Sequence, residues 1–152
     1  MSVRPHPSGE RESVVSDDML RVLLVSTSFP RSPLDWQGRF IADMTSALVR
    51  RADLDLRIWA PFGACPEGAR SAVCEADARW LARLADRGGI ASQLRRGPLR
   101  ALPAAAGLLH RLRRVYRVAH DDLVHVNWLQ NALPLWGVSR YDPGKRPRSF
   151  FL

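Results

Sequence analysis

Two short segments of this chain carry side chains of the types, and at the spacing, that could meet a ligand. The first is Trp36-Gln37-Gly38-Arg39, at the start of a helical pattern. A glycine opening a helix lets a phosphate approach the backbone N–H groups closely, and a neighbouring arginine adds charge-assisted hydrogen bonds. A plain helix cap is the commoner use of such a glycine. The second segment is His125-Val126-Asn127-Trp128-Leu129-Gln130-Asn131. Strand alternation puts His125 and Asn127 on one side, with Asn127 at the lip of a sheet, where amides can orient a hydroxyl-rich ligand. A buried histidine bonded to backbone and an asparagine capping the next turn also fit, and spacing alone favours them. No G-x-G-x-x-G, Walker A, zinc spacing or G-x-S-x-G elbow occurs, which removes the usual pointers to dinucleotide oxidoreductases, P-loop enzymes and α/β-hydrolases.

The elements that must position these residues read as alternating strands and helices. Leu20 to Ser26 is an almost continuous apolar run, as expected of a parallel strand covered on both faces. A long Pro- and Ser-containing loop, Thr27 to Gly38, leads to a helix in which Phe40, Ile41, Met44, Ala47 and Leu48 recur at helical spacing, closed by Arg50 and Arg51. Leu54 to Ala60 predicts a second strand, stopped by Pro61 and Gly63. A helix is expected from about Arg70 to Arg87, with Val73, Trp80, Leu81 and Leu84 on one side and Gly88-Gly89 as its end. Another is expected from about Pro98 to Ala119, with an apolar stripe of Leu99, Leu102, Ala105, Ala106, Leu109, Leu112 and Tyr116. Asp121 to Asn127 then reads as a further strand, and Trp128 to Leu135 as the start of a loop or helix. The expected architecture is an α/β, partial Rossmann-like parallel sheet with flanking helices. Residues 1–18 are expected to be a disordered leader, with Met19 an alternative start. Residues 19–136 form the domain, and 137–152 an irregular tail with nothing that could extend a sheet.

Composition narrows the classes. With 152 residues, 46% hydrophobic and 25% charged, the chain can bury one core and is not disordered throughout. The longest apolar stretch, Ala101 to Leu109, is half of what a bilayer span needs, and the first residues hold no secretory h-region. Cys65 and Cys74 have neither C-x-x-C spacing nor a histidine cluster beside them, so they read as ordinary thiols in a reducing compartment. The formal charge of +8 invites a nucleic-acid or anionic-membrane reading, but Lys145 is the only lysine, and such arginine use also follows from coding bias. The arginines around the Leu102–Ala119 helix could lie on lipid headgroups. A solvated surface is favoured, because the apolar stripe is needed against the sheet.

The run Leu20-Arg21-Val22-Leu23-Leu24-Val25-Ser26-Thr27-Ser28-Phe29-Pro30-Arg31-Ser32-Pro33, continued by Trp36-Gln37-Gly38-Arg39-Phe40, resembles the opening of family 4 glycosyltransferases of the GT-B fold. Asp122 to Leu135 is similar to the strand and helix that line the acceptor side in that family, and the likeness covers about Leu20 to Trp136. The resemblance implies transfer of a sugar from a nucleotide-sugar donor to an acceptor glycan or lipid across a cleft between two Rossmann-like domains. It implies Gly38 and Arg39 near the donor phosphates and His125, Asn127, Trp128, Gln130 and Asn131 on the acceptor side. It points to no metal and no cofactor beyond the nucleotide-sugar co-substrate. Many relatives carry His-x-His at the strand end; Asn127 stands at the second position and does not titrate. No catalytic residue is assigned.

The family's donor domain, with its paired glutamates, has no counterpart here, and Glu67 and Glu75 lie in the wrong context to supply them. The expectation is therefore an incomplete N-terminal half of a GT-B fold, from a truncated, frameshifted or split gene, inactive alone and completed by a separate chain. Its expected place is the cytoplasm, including the inner face of the membrane as a peripheral contact. The alternative is a non-enzymatic arginine-rich module that binds anionic membrane or nucleic acid, the nucleic acid being the less favoured partner. A flavodoxin-like nucleotide or flavin binder is a further rival, which the missing phosphate loops disfavour.

Overall fold

The computed structural model describes residues 19–32, 34–36, 38–61, 65–118, 120–134 and 149–151, the last three by backbone alone. The expected leader, Pro33, Gln37, Gly63, Ala119, Leu135, Trp136 and the tail as far as residue 148 lie outside the described residues.

Among the described residues five strands form one all-parallel sheet: β1 (Leu20–Val25), β2 (Leu54–Trp59), β3 (Arg70–Ser71), β4 (Leu123–Val126) and β5 (Ser149–Phe151), in the order β3-β2-β1-β4-β5. This is the partial Rossmann-like α/β arrangement expected. Among the described residues the sheet is flanked by the helices α1 (Arg39–Leu48), α2 (Glu75–Asp86), α3 (Gly89–Arg96) and α4 (Pro98–Val118), with a shorter helical run over 129–134. Alternation along β1 explains its continuous apolar run, since both faces are buried. Val22 and Leu24 pack with Leu56, Ile58 and Ile41 of α1 on one side. Leu23 and Val25 pack with Trp59, Val124, Val126, Leu81, Leu108 and Leu112 on the other. Each fully buried aliphatic side chain contributes about 1.5–3 kcal/mol.

Several expectations are corrected. Arg70 and Ser71 are an edge strand, not the start of a helix: the Ala72 amide donates to the Ile58 carbonyl at 2.8 Å. The Ser71 hydroxyl accepts the Val73 amide at 3.1 Å, a local turn that delays α2 to Glu75. Gly88, at φ 78°, ends α2 but also opens α3, a two-turn helix the periodicity did not reveal. Ser149–Phe151 extends the sheet beside β4, although that stretch was read as irregular. On α1, Ile41 and Thr45 are buried while Phe40 and Ala47 face outward.

The largest correction is on α4. Its core face is Ala101, Leu108, Leu112, Val115 and Tyr116, about a quarter-turn away from the expected stripe at 100° per residue. Leu112 and Tyr116 are buried as expected, whereas Leu99, Leu102, Ala105 and Ala106 are exposed and Leu109 is half-buried.

A buried charge cluster joins β2 to α2 and α4. The Asp77 carboxylate, 1% exposed, accepts the Trp59 Nε1 proton at 3.1 Å and an Arg114 Nη2 proton at 2.7 Å. Arg111 Nε lies 3.3 Å from Asp77 Oδ1 without hydrogen-bond alignment, so that contact is Coulombic, and its guanidinium stacks 4.6 Å from the Trp80 ring centre. At the opposite end of the sheet, the buried Asp121 carboxylate takes Arg57 at 3.1 and 3.3 Å.

Candidate functional site

The carboxyl ends of β1, β2 and β4 and the amino end of α1 share one edge of the sheet, where helix N–H groups and strand-end loops converge. Ser26, fully buried, fixes the end of β1. Its hydroxyl donates to the Ser28 carbonyl at 2.7 Å and accepts the Ser28 amide at 3.1 Å, while its own amide donates to the Trp59 carbonyl at 3.0 Å. On the other side of β1, the Asn127 amide donates to the Val25 carbonyl at 2.9 Å. The two flanking strands thereby hold the lip of the sheet.

Gly38 sits at φ 72° and ψ 17° and opens α1 without a side-chain capping bond. A Cβ there would come 2.9 Å from the Ser28 carbonyl carbon and 3.0 Å from the Phe29 nitrogen. Only a glycine combines the left-handed conformation with so close an approach of loop and helix. Arg39 follows, with Nε 3.4 Å from the Asp43 carboxylate one turn on. The expected phosphate pair therefore occupies the amino end of α1, with the arginine partly engaged along its own helix.

The residues around the end of β4 divide into two groups. His125 lies within β4, half-buried, in register with Leu24. Asn127 is the first residue past the strand; its Nδ2 is buried and has no hydrogen-bond partner among the described residues. Trp128 has φ 80°, the only positive φ of a non-glycine residue among those described. A tryptophan in that region is strained by steric contact of its Cβ, by about 1–2 kcal/mol. Its ring, 47% exposed, meets the 57%-exposed Phe40 edge-on, with ring centres 6.3 Å apart and planes at 83°. Gln130 is half-buried in the short helical run 129–134.

Asn131 belongs to the second group. It is fully buried, its Nδ2 donates to the Asn127 carbonyl at 2.7 Å, and its carbonyl accepts the Tyr116 hydroxyl at 2.9 Å. Burial pushes the Tyr116 phenol well above its ordinary pKa, so it stays a donor. Asn131 thus braces the turn from beneath, with its side chain buried and not at the surface of the edge.

Sequence reading missed the aromatic shelf. Trp36 and Phe40 are exposed on either side of Gly38, and Phe40 had been counted toward the core. The available signal was two aromatics flanking the glycine of a polar loop. Also missed was a cavity of about 280 Å³ past β2 and β3, lined by Arg31, Pro61, Ser71, Cys74 and Glu75. There the Cys74 sulfur accepts Arg114 Nη2 at 3.0 Å, and Arg31 pairs with Asp86 at 2.8 Å. Burial raises the pKa of the other thiol, Cys65. Glu75 pairs with Arg79. Among the described residues no group of His, Cys, Asp and Glu side chains could hold a metal ion.

What this edge offers chemically is the positive end of a helix dipole, an exposed aromatic pair set edge-on and a nearby amide donor. No family model matches the chain, and neither a curated protein nor a solved structure does.

Proposed function

We propose that this chain builds the acceptor-side wall of a glycosyltransferase cleft, across which a sugar passes from a nucleotide-sugar donor to a glycan or lipid acceptor. The residue-level likeness of the Leu20–Phe40 and Asp122–Leu135 stretches to family 4 glycosyltransferases motivates the activity. The single observation that supports it is the meeting of the two stretches at one place: Phe40, two residues from Gly38, touches Trp128, the strained residue beside Asn127. Backbone strain of this kind persists where surrounding structure over-determines it, and it clusters at ligand sites.

In this reading the positive end of the α1 dipole faces the donor diphosphate, with the Arg39 and Ile41 amides also donating to the Trp36 and Gly38 carbonyls at 3.2 and 2.9 Å. The exposed Trp128 ring receives the C–H face of a pyranose ring, with Phe40 standing edge-on beside it. Asn127 offers its amide to a sugar hydroxyl, relieving a buried donor whose isolation costs about 1–3 kcal/mol. A single sheet supplies one wall only. In-line attack needs a donor held opposite, so transfer requires groups beyond this sheet.

The test is an NMR titration of the ¹⁵N-labelled full chain with uridine diphosphate and, separately, methyl glucoside. Diphosphate should shift the amides of Gly38, Arg39 and Phe40, and the glucoside should shift the Trp128 indole together with the Asn127 side-chain amide, the latter being the signal read in Trp128→Gly. Trp128→Gly should leave the urea midpoint nearly unchanged, because the roughly 1–2 kcal/mol of relieved strain offsets about 0.5–1.5 kcal/mol of lost ring contact, while removing the glucoside response. Absence of shifts at both places, or a glucoside response that survives Trp128→Gly, overturns the reading. Sugar transfer by the chain alone overturns its one-wall part.

A further inference from the structure

The core face of α4 is not the stripe its sequence suggests, and the consequence lies on the other side of the helix. Leu99 (79% exposed), Leu102, Pro103 and Ala106 project outward from its amino-terminal half, with Leu94 of α3 also exposed nearby in the chain. His110, Arg113 and Arg117 continue the same outward line along the carboxyl half, at the spacing of successive turns. A shallow groove of about 490 Å³ runs there between Leu109, Arg113, Arg117 and the exposed Val118.

Charge is distributed just as unevenly. Among the other described arginines most are paired with a carboxylate, as Arg21 is with Asp122, Arg51 with Asp53, Arg57 with Asp121 and Arg70 with Asp55. Residues 89–118 contain seven arginines and no aspartate or glutamate. Of these, Arg111 and Arg114 turn inward to Asp77. Arg95, Arg96, Arg100, Arg113 and Arg117 are exposed and make no ion pair among the described residues. Five exposed arginines without an ion pair among the described residues thus surround an apolar ridge.

A second copy of the chain would bring like charges together on this face, which disfavours a symmetric dimer. Nucleic acid would match the charge but leave the leucines in water. An anionic bilayer satisfies both, since the headgroup–acyl boundary takes apolar side chains to a depth of about 5–10 Å while arginines reach the phosphates above them. Among the described residues no helix is long and apolar enough to cross a membrane, so the contact would be one of surface insertion. We propose that the outward face of α3 and α4 docks on an anionic lipid bilayer, leucines inserted and arginines on the lipid phosphates. The surface is separate from the Gly38–Trp128 edge, and the proposal stands or falls independently of the catalytic reading.

The test is co-sedimentation of the full chain with vesicles of phosphatidylcholine alone or mixed equally with phosphatidylglycerol. Binding is expected to the mixed vesicles only. Arg113→Gln with Arg117→Gln should weaken it about 25-fold, at roughly five-fold per arginine. Leu99→Ser with Leu102→Ser, both at exposed positions and so without effect on the circular dichroism spectrum, should weaken it by about ten-fold or more. Equal binding to both vesicle types, or no binding to either, overturns the proposal. Loss with the arginine pair but none with the leucine pair overturns it in favour of polyanion adsorption, which tight duplex DNA binding would confirm. A dimer in light scattering that Leu99→Ser dissociates would assign the face to a second copy instead.

Discussion

Replacing Gly38 by alanine tests whether the β1 loop clamps the amino end of α1. Two costs add. A non-glycine residue at φ 72° loses about 1–2 kcal/mol to contact of its own Cβ with the backbone. The new methyl also overpacks against the Ser28 carbonyl carbon at 2.9 Å and the Phe29 nitrogen at 3.0 Å, worth about 1–3 kcal/mol. Those neighbours cannot easily yield, because Ser26 holds Ser28 through two hydrogen bonds and Phe29 is buried in the core. The sum, about 2–5 kcal/mol, is a large share of the 5–15 kcal/mol that holds a typical domain together. Gly89→Ala is the control, since Gly89 has nearly the same φ, 73°, but no atom within 4 Å of its added Cβ. It should lose only the conformational part, about 1–2 kcal/mol. Urea unfolding followed by tryptophan fluorescence reads both, provided the slope m is unchanged between variants. Equal losses for Gly38→Ala and Gly89→Ala would refute the clamp.

Asp77→Ala leaves Arg111 and the Trp59 indole without their buried partner and should cost about 3–5 kcal/mol, whereas Arg79→Ala, which breaks the exposed pair with Glu75 on the same helix, should cost less than about 0.5 kcal/mol. Similar urea midpoints for the two would remove the buried cluster as a joint between β2 and α4. Asp121 gives a pH dependence. Burial, only partly countered by Arg57, raises its carboxyl above the ordinary 3.8, so the folded chain holds that proton to higher pH than the unfolded chain does. Its contribution to stability is fully present below 3.8 and is lost as pH rises through the raised value. Urea midpoints measured across the acid range should fall less steeply in Asp121→Asn than in the parent chain; parallel profiles would contradict the assignment.

Much of the fold was legible because its signals are local. The nearly continuous apolar run at Leu20–Val25 and the alternation at Leu56 and Ile58 each reflect burial along one element, and these strands and the helix from Pro98 lie close to the expected boundaries. At the site, Gly38 and the Asn127–Trp128 turn were legible as residue types at strand ends. The Phe40–Trp128 contact was not, because it joins positions distant in sequence, and the inward turn of Asn131 depends on a tyrosine from another helix.

What the sequence determined by itself is the class: parallel strands covered on both faces, helices between them, and a glycine where the first helix begins. Tertiary structure decided which side of each helix those strands receive. Helix α4 carries two candidate stripes, and hydrophobicity alone favours the one richer in leucine. Packing chose the other: Leu108, Leu112, Val115 and Tyr116 join Trp59, Val124 and Val126 of the sheet in one core, with Ala104 packed beside them. The leucines left outside follow from that choice, as does the setting of Asp77 between two arginines and a tryptophan, since close packing is a property of several elements together and is not written in the period of any one.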